Sequence, residues 1–337
     1  TNPADSRAFR ALEEHLFLAG AWHELAGVYE CRLGALPATG EERTDLLGRL
    51  ASVLAERIGD LAAARPRYEE ILRLQPQNAS AISCLRRLLA LAGELTSALQ
   101  LAELEEALPL AARPRAQLLT EIGELWRGVG DSEEAQRRFS EALELDPACD
   151  TALVSAAALS ESLGNSHEAI ALHERRLRTA TGPARAGVQE QITRLLPAGE
   201  SGRAREILEQ IMREFPERRA SLEQLIALER SVGRVARVGE LQRGLWKLVH
   251  DPVERLRLAL EAATLQLDEG GEVAAAEFWC ERADEIAPDD ATVHKLRLRV
   301  FRRTGDAVRV LEALEKLVVA EGDSPMRLLE VAVLHER

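Results

Sequence analysis

With 56 acidic against 43 basic side chains over 337 residues, the chain carries a formal charge of -13, which excludes the broad basic face that nucleic-acid phosphates demand. Hydrophobic residues make up 46% of it, mostly Leu and Ala, and aromatics only 4%, so the composition is that of helices. No apolar run approaches the roughly twenty residues that cross a bilayer, so a soluble chain without membrane insertion is expected.

The start, Thr1-Asn2-Pro3, has neither an initiator Met nor a charged-then-apolar signal, and the natural N-terminus is expected to be processed or to lie upstream. From there glycines punctuate the chain at intervals of 34 to 39 residues: Gly20, Gly59, Gly93, Gly130, Gly164, Gly199, Gly233, Gly271 and Gly305. Each is expected to turn one helical hairpin, whose first and second helices we call A and B. The hairpin at Gly20 runs into a junction at Pro37–Arg43. The next, at Gly59-Asp60, continues through Ala64, Tyr68, Ile71, Leu72 and Pro76 and has one extra residue in its helix A. After Gly93 comes a second long junction, Pro109–Arg115. The clearest unit then spans Ala116–Cys149. Leu119, Ile122, Gly123 and Trp126 give its helix A one packing face, Gly130-Asp131 turns the chain, and Ala135, Phe139, Ala142 and Leu143 line helix B before Pro147 ends it. Gly164 precedes the junction Thr181–Arg185. Gly199 is followed by Ala204, Leu208, Ile211 and Pro216, and Gly233 by the junction Asp251–Arg255. Gly271 is followed by Ala276, Cys280, Ala283 and Pro288, and Gly305 by Gly322–Arg327. Residues 325–337 begin like another helix A and stop. Leu328, Leu329, Val331, Val333 and Leu334 spread apolar surface around that helix, so the natural chain is expected to continue, or a partner or second copy to cover it.

The unit Ala116–Cys149 resembles the tetratricopeptide consensus, and the same frame returns along almost the whole chain. The resemblance implies an all-α fold, a right-handed superhelical α-solenoid over residues 1–337 as one domain, with nine hairpins, a final unpaired helix and contacts between neighbours. It also implies a non-enzymatic scaffold or adaptor whose concave groove takes a protein or peptide segment. Two other readings stay open: a regulatory or substrate-recruiting arm of a larger enzyme, and an envelope assembly protein. Units with the closing proline alternate with units that lack it at its usual place, and paired glycine intervals total 69 to 73 residues, which suggests duplication of a two-hairpin block. The long junctions all follow the looser units. Each contains Pro and leads into Arg, and they are expected along one rim, as tolerated loop variation rather than a binding edge.

Chemistry is scarce. His167, Glu168 and His173 invite a zinc reading, but helical zinc histidines stand four apart, not six. No phosphate loop or nucleophile constellation occurs, so neither catalysis nor a cofactor is expected. Asn78-Ala79-Ser80 fits a glycosylation acceptor by a pattern too short to weigh. Tyr68, Trp126, Phe139 and Phe301 fall at core positions. Cys31, Cys84, Cys149 and Cys280 are far apart, which favours a reducing, cytoplasmic setting over a periplasmic one. The candidate partner-binding residues are Lys295, Arg299, Arg302 and Arg303, a basic stripe on one helix A suited to an acidic peptide. Against that, Glu261, Asp268 and Glu269 stand 34 residues before Lys295, Arg302 and Arg303 and are expected to pair with them, leaving Arg299 opposite Leu265. The lysine and asparagine set with which cochaperone members of the family grip a C-terminal carboxylate is missing.

Overall fold

The computed structural model describes residues 6–321 together with Val331 and Val333. Among the described residues there is no strand. Eighteen helices follow one another as α1 (Ser6–Ala19), α2 (Trp22–Ala35), α3 (Glu41–Ser52), α4 (Leu61–Leu74), α5 (Ala79–Leu91), α6 (Leu95–Glu106), α7 (Ala112–Val129), α8 (Ser132–Leu145), α9 (Asp150–Ser162), α10 (Ser166–Leu177), α11 (Gly182–Leu195), α12 (Ser201–Glu214), α13 (Arg219–Ser231), α14 (Val235–Leu248), α15 (Pro252–Leu265), α16 (Val273–Ile286), α17 (Ala291–Thr304) and α18 (Ala307–Glu321). Taken in pairs, they are nine hairpins among the described residues. The contacts gather into two compact units, one up to Arg176 and one from Leu177. Within each, a helix packs on its next and next-but-one neighbours. The unpaired helix expected over 325–337 lies, but for Val331 and Val333, outside the described residues, as does the whole junction at Gly322–Arg327.

Eight of the nine turn glycines have a left-handed backbone, with φ between +65° and +94°, a conformation that only glycine reaches at no steric cost. Gly199 does not. Leu196, held extended (ψ 136°) ahead of Pro197, ends α11, and Gly199 then lies in a short 3₁₀ turn, Ala198–Glu200, that leads directly into α12. Proline's clash with the preceding residue stops that helix, so no left-handed cap is needed. The extra residue of the Gly59 hairpin is accommodated as a π-helical stretch, Val53–Ile58, that continues α3. A second π-helical stretch, Gln266–Gly270, continues α15 ahead of Gly271. One inserted residue in a helix is what a π-bulge holds without breaking the ladder.

Packing repeats with the turns. The residue five positions past each turn glycine is buried in every hairpin: Leu25, Ala64, Ala98, Ala135, Ala169, Ala204, Val238, Ala276 and Val310. The residue nine past is buried too, and is Tyr68, Phe139, Leu208 or Cys280 in the proline-closed hairpins. In the looser hairpins the positions nine and twelve past the glycine admit polar groups; several are paired, while the side-chain oxygen of buried Gln242 has no hydrogen-bond partner. Glu105 accepts from Arg86 Nε at 2.7 Å, while Arg86 Nη2 reaches Glu121 of the next helix A at 2.5 Å. Arg32 donates to Glu42 (2.7 Å), Arg176 to Asp150 (2.8 Å), and His173 lies 3.2 Å from Glu161. In the hairpins at Gly20, Gly93 and Gly164 an apolar contact is thus exchanged for a hydrogen-bonded ion pair, since a buried charge persists only when paired, whereas the Gly305 hairpin keeps Leu314 and Leu317.

The junction arginines have a local task. Arg43 donates to the carbonyl of Leu33 (3.1 Å), Arg185 to Leu177 (2.9 Å) and Arg255 to Val249 (2.7 Å), each satisfying a backbone oxygen at the end of the preceding helix B. Pro183 and Pro252 stand at the first turns of α11 and α15, where a missing N–H costs nothing. Asn78 is an N-cap, accepting from Ala81 N at 3.0 Å.

At Gly123 a β-carbon would lie 2.5 Å from Cε1 and 2.7 Å from Cδ1 of Phe139, a ring with 1% exposure. Gly123→Ala should therefore destabilise the protein by about 1–3 kcal/mol. Gly27→Ala, which meets open space in α2, should stabilise it by about 0.5–1 kcal/mol. Urea unfolding of both variants checks this, and equal shifts would contradict it.

Buried Glu190 of α11 accepts from Arg218 Nε and Nη2 at 2.7 and 2.8 Å and from the Ser221 hydroxyl. Burial pushes its carboxyl up, but the Arg218 and Ser221 hydrogen bonds outweigh this and hold it below the ordinary carboxylate range. A depressed folded-state value means stability that is full above the unfolded carboxylate's titration and is lost as pH falls through the folded one. Glu190→Gln should cost about 2–4 kcal/mol at neutral pH and flatten the acid limb of the stability curve. An unchanged acid limb in denaturant titrations between pH 3 and 7 would oppose it.

Candidate partner-binding groove

Three successive A helices, α1, α3 and α5, present residues at helical spacing to one groove of the first unit. Arg10, Glu13, Glu14 and Phe17 come from α1. Asp45, Gly48, Arg49 and Ser52 come from α3, followed by Val53 of its π-helical continuation, and Ala81 and Cys84 come from α5. The groove measures about 870 Å³, within the range of ligand-sized clefts. Its floor is made by B-helix residues, Tyr29 of α2 and Tyr68 and Ile71 of α4. Gly48 keeps it open, because a β-carbon there would lie 4.0 Å above Ile71 Cδ1.

The polar groups of the groove are pre-set. The Tyr29 hydroxyl donates to Glu13 Oε1 at 2.7 Å, and Arg49 Nη1 donates to the same oxygen at 2.9 Å. Burial and then the Glu13 hydrogen bond raise the Tyr29 phenol above its ordinary value. The same carboxylate, as hydrogen-bond acceptor, raises Arg49. Burial, with Cys84 alongside, raises Tyr68. All of these donors keep their protons at neutral pH. The groove thus offers carboxylate oxygens and aromatic surface, with its main donors already engaged.

The basic stripe lies in the second unit, and its four residues are exposed on α17. Lys295 pairs with Glu321 at the end of α18 rather than with Glu261. Arg299, expected to stand opposite Leu265 without a partner, takes Asp268 at 2.6 Å. Arg303 donates to the Leu267 carbonyl at 2.5 Å. For Arg299 the change fits the π-helical stretch Gln266–Gly270, in which an inserted residue turns Asp268 away from the regular register. His167 and His173 are also kept apart, His173 being buried against Glu161 while His167 is exposed. Among the described residues, no three His, Cys, Asp or Glu side chains gather as a metal-ligand set, and no helix is long and apolar enough to cross a membrane.

Sequence reasoning missed the groove. Its one signal is that the chain's two tyrosines, Tyr29 and Tyr68, stand nine residues past successive turn glycines, which puts two hydroxyl-bearing rings side by side between hairpins.

Lys295→Ala and Arg299→Ala break ion pairs whose partners are all at least a quarter exposed, so each should change unfolding free energy by less than about 1 kcal/mol. Arg86→Ala, which leaves buried Glu105 unpaired, should cost about 3–5 kcal/mol. Thermal and urea unfolding of the three variants measure the contrast, and a similar loss in all would refute it.

No protein-family model matches the chain, and no curated protein is similar to it in sequence. Solved structures do resemble it. A tetratricopeptide repeat protein from Parabacteroides merdae is 16% identical with a TM-score of 0.48, over 77% of this chain and 100% of that one. MamA from Desulfovibrio magneticus is 17% identical at 0.46, over 54% and 99%. The Naa15/Naa10 complex bound to HypK-THB is 14% identical at 0.48, over 97% and 55%. Superpositions this loose leave the description to the repeat unit itself: a buried residue five past the turn glycine, another nine past, and helices packed on their nearest neighbours. By that unit, repeated nine times among the described residues, the chain is a tandem array of helical hairpins whose repeat resembles the tetratricopeptide unit.

Proposed function

We propose that the protein is a non-enzymatic interaction scaffold and that the groove across α1, α3 and α5 receives a segment of a protein partner. The observation that carries this is the groove: about 870 Å³, floored by Tyr29, Tyr68 and Ile71, and built wholly from helices packed on their neighbours. A surface fixed before binding lowers the ordering cost of recognition. The groove is preferred to the basic stripe because Lys295 and Arg299 already spend their charge on Glu321 and Asp268. The unbroken glycine period across Arg176–Leu177 supports reading residues 1–337 as one array. Four cysteines on separate elements suit a cytoplasmic setting.

Selection of a displayed library of random twelve-residue peptides on the purified protein tests the proposal. Gly48→Leu serves as the comparison, since it fills the groove above Ile71 and replaces a helical glycine. Selected peptides should bind the wild type and lose at least about tenfold in affinity, roughly 1.4 kcal/mol, on Gly48→Leu, whose melting temperature should be no lower. Equal affinity for both proteins would contradict the assignment of the groove.

A further inference from the structure

The charges around the groove do not balance, and the imbalance has one sign. A smaller trough of about 350 Å³, reaching the start of α3 at Glu41 and Glu42, shares Arg10, Glu13, Asp45 and Arg49 with the groove. Two of the carboxylates are satisfied within the chain: Glu13 holds Arg49 at 2.9 Å and Glu42 holds Arg32 at 2.7 Å. Among the described residues no ion pair closes on Glu14, Glu41 or Asp45, and all three are exposed. Arg10, with Arg49 where it faces Asp45, is the cation set against these three carboxylates.

The engaged donors strengthen the asymmetry. An acidic ligand needs N–H or O–H groups, yet the Tyr29 hydroxyl and Nη1 of Arg49 already donate to Glu13. Taking them back would strand a carboxylate that is only 17% exposed, and an unpaired, partly buried charge is costly. A basic ligand meets neither obstacle. Free carboxylates attract cations, and so does the exposed ring of Phe17.

Resting on the groove's reading as a partner site, we infer that its occupant is a protein segment presenting a lysine or arginine beside a bulky apolar side chain. The cation lies along Glu14, Glu41 and Asp45, and the apolar neighbour packs on the exposed ring of Phe17, above Gly48. The net charge of -13 adds long-range attraction for such a segment that salt screens.

The test uses three pools of fluorescein-labelled nine-residue peptides, identical but for a central Lys-Phe, Gln-Phe or Glu-Phe pair. Fluorescence anisotropy is read on the wild type, on Gly48→Leu, and on the triple variant Glu14→Gln, Glu41→Gln, Asp45→Asn, whose exposed positions keep the fold. The Lys-Phe pool should bind the wild type about tenfold tighter than the Glu-Phe pool. The preference should shrink to about twofold in the triple variant and in high salt, and Gly48→Leu should weaken all binding. If the pools bind equally, or Glu-Phe binds best, while Gly48→Leu still abolishes binding, the inference fails and the groove assignment stands. If no pool binds the wild type, or Gly48→Leu leaves binding intact, both fail together.

Discussion

The two helices of each hairpin meet five residues past the turn glycine, and the size of the side chain there sets how closely they approach. Alanine occupies that position in six of the nine hairpins among the described residues, and leucine or valine in the other three; all are buried. Because an interior is packed as densely as a crystal, one extra methyl group at such a contact is felt. Gly123 is the extreme case, lying where the ring of Phe139 leaves no room for a β-carbon. The close approach makes each hairpin a rigid slab, and slabs stacked on their neighbours hold three A helices across one groove with no loop in its floor.

Where a hairpin departs from the apolar pattern, it does so with charges that reach outward to adjacent helices. Arg86 ties α5 to Glu105 of α6 and to Glu121 of α7, so one buried guanidinium joins two hairpins. Arg138 of α8 reaches back to Glu106 of α6 in the same manner, and Arg43 of α3 reaches forward to Glu70 of α4. Such pairs add little net stability over apolar packing, but a wrong register would strand their charges. They fix which hairpin face meets which neighbour. In the first unit the same arrangement commits Arg49 and Tyr29 to Glu13, which gives the groove its acidic character.

Much of the fold was legible because turn chemistry and helical period are local. Gly130-Asp131 reads as a turn and a cap, and the structure has a left-handed glycine and an Asp131 side chain accepting from Glu134 N. The extra residue of the Gly59 hairpin was countable, although only the structure shows it held in a π-helical stretch. Gly199 matched the period but not the mechanism, because Pro197 ends the helix in its place. Less was legible at the level of sites. Arg299 and Asp268 are 31 residues apart rather than one regular repeat, so pairing by a fixed offset assigned Asp268 to Arg302. The junctions read as loop variation along one rim, and only the structure shows the task of their arginines: Arg43, Arg185 and Arg255 bind backbone carbonyls. The groove escaped notice because it is a gap between three A helices, and a gap has no motif.

The central claim is that recognition falls on the A helices of the first three hairpins. Hydrogen–deuterium exchange of the protein with and without a selected peptide measures this most directly. The account predicts added protection confined to segments 10–17, 44–53 and 78–84, which carry Phe17, Arg49 and Cys84, with B-helix surfaces and helices from α7 onward unchanged. Protection falling instead on the helix carrying Lys295 and Arg299, or on outward faces of B helices, would contradict it.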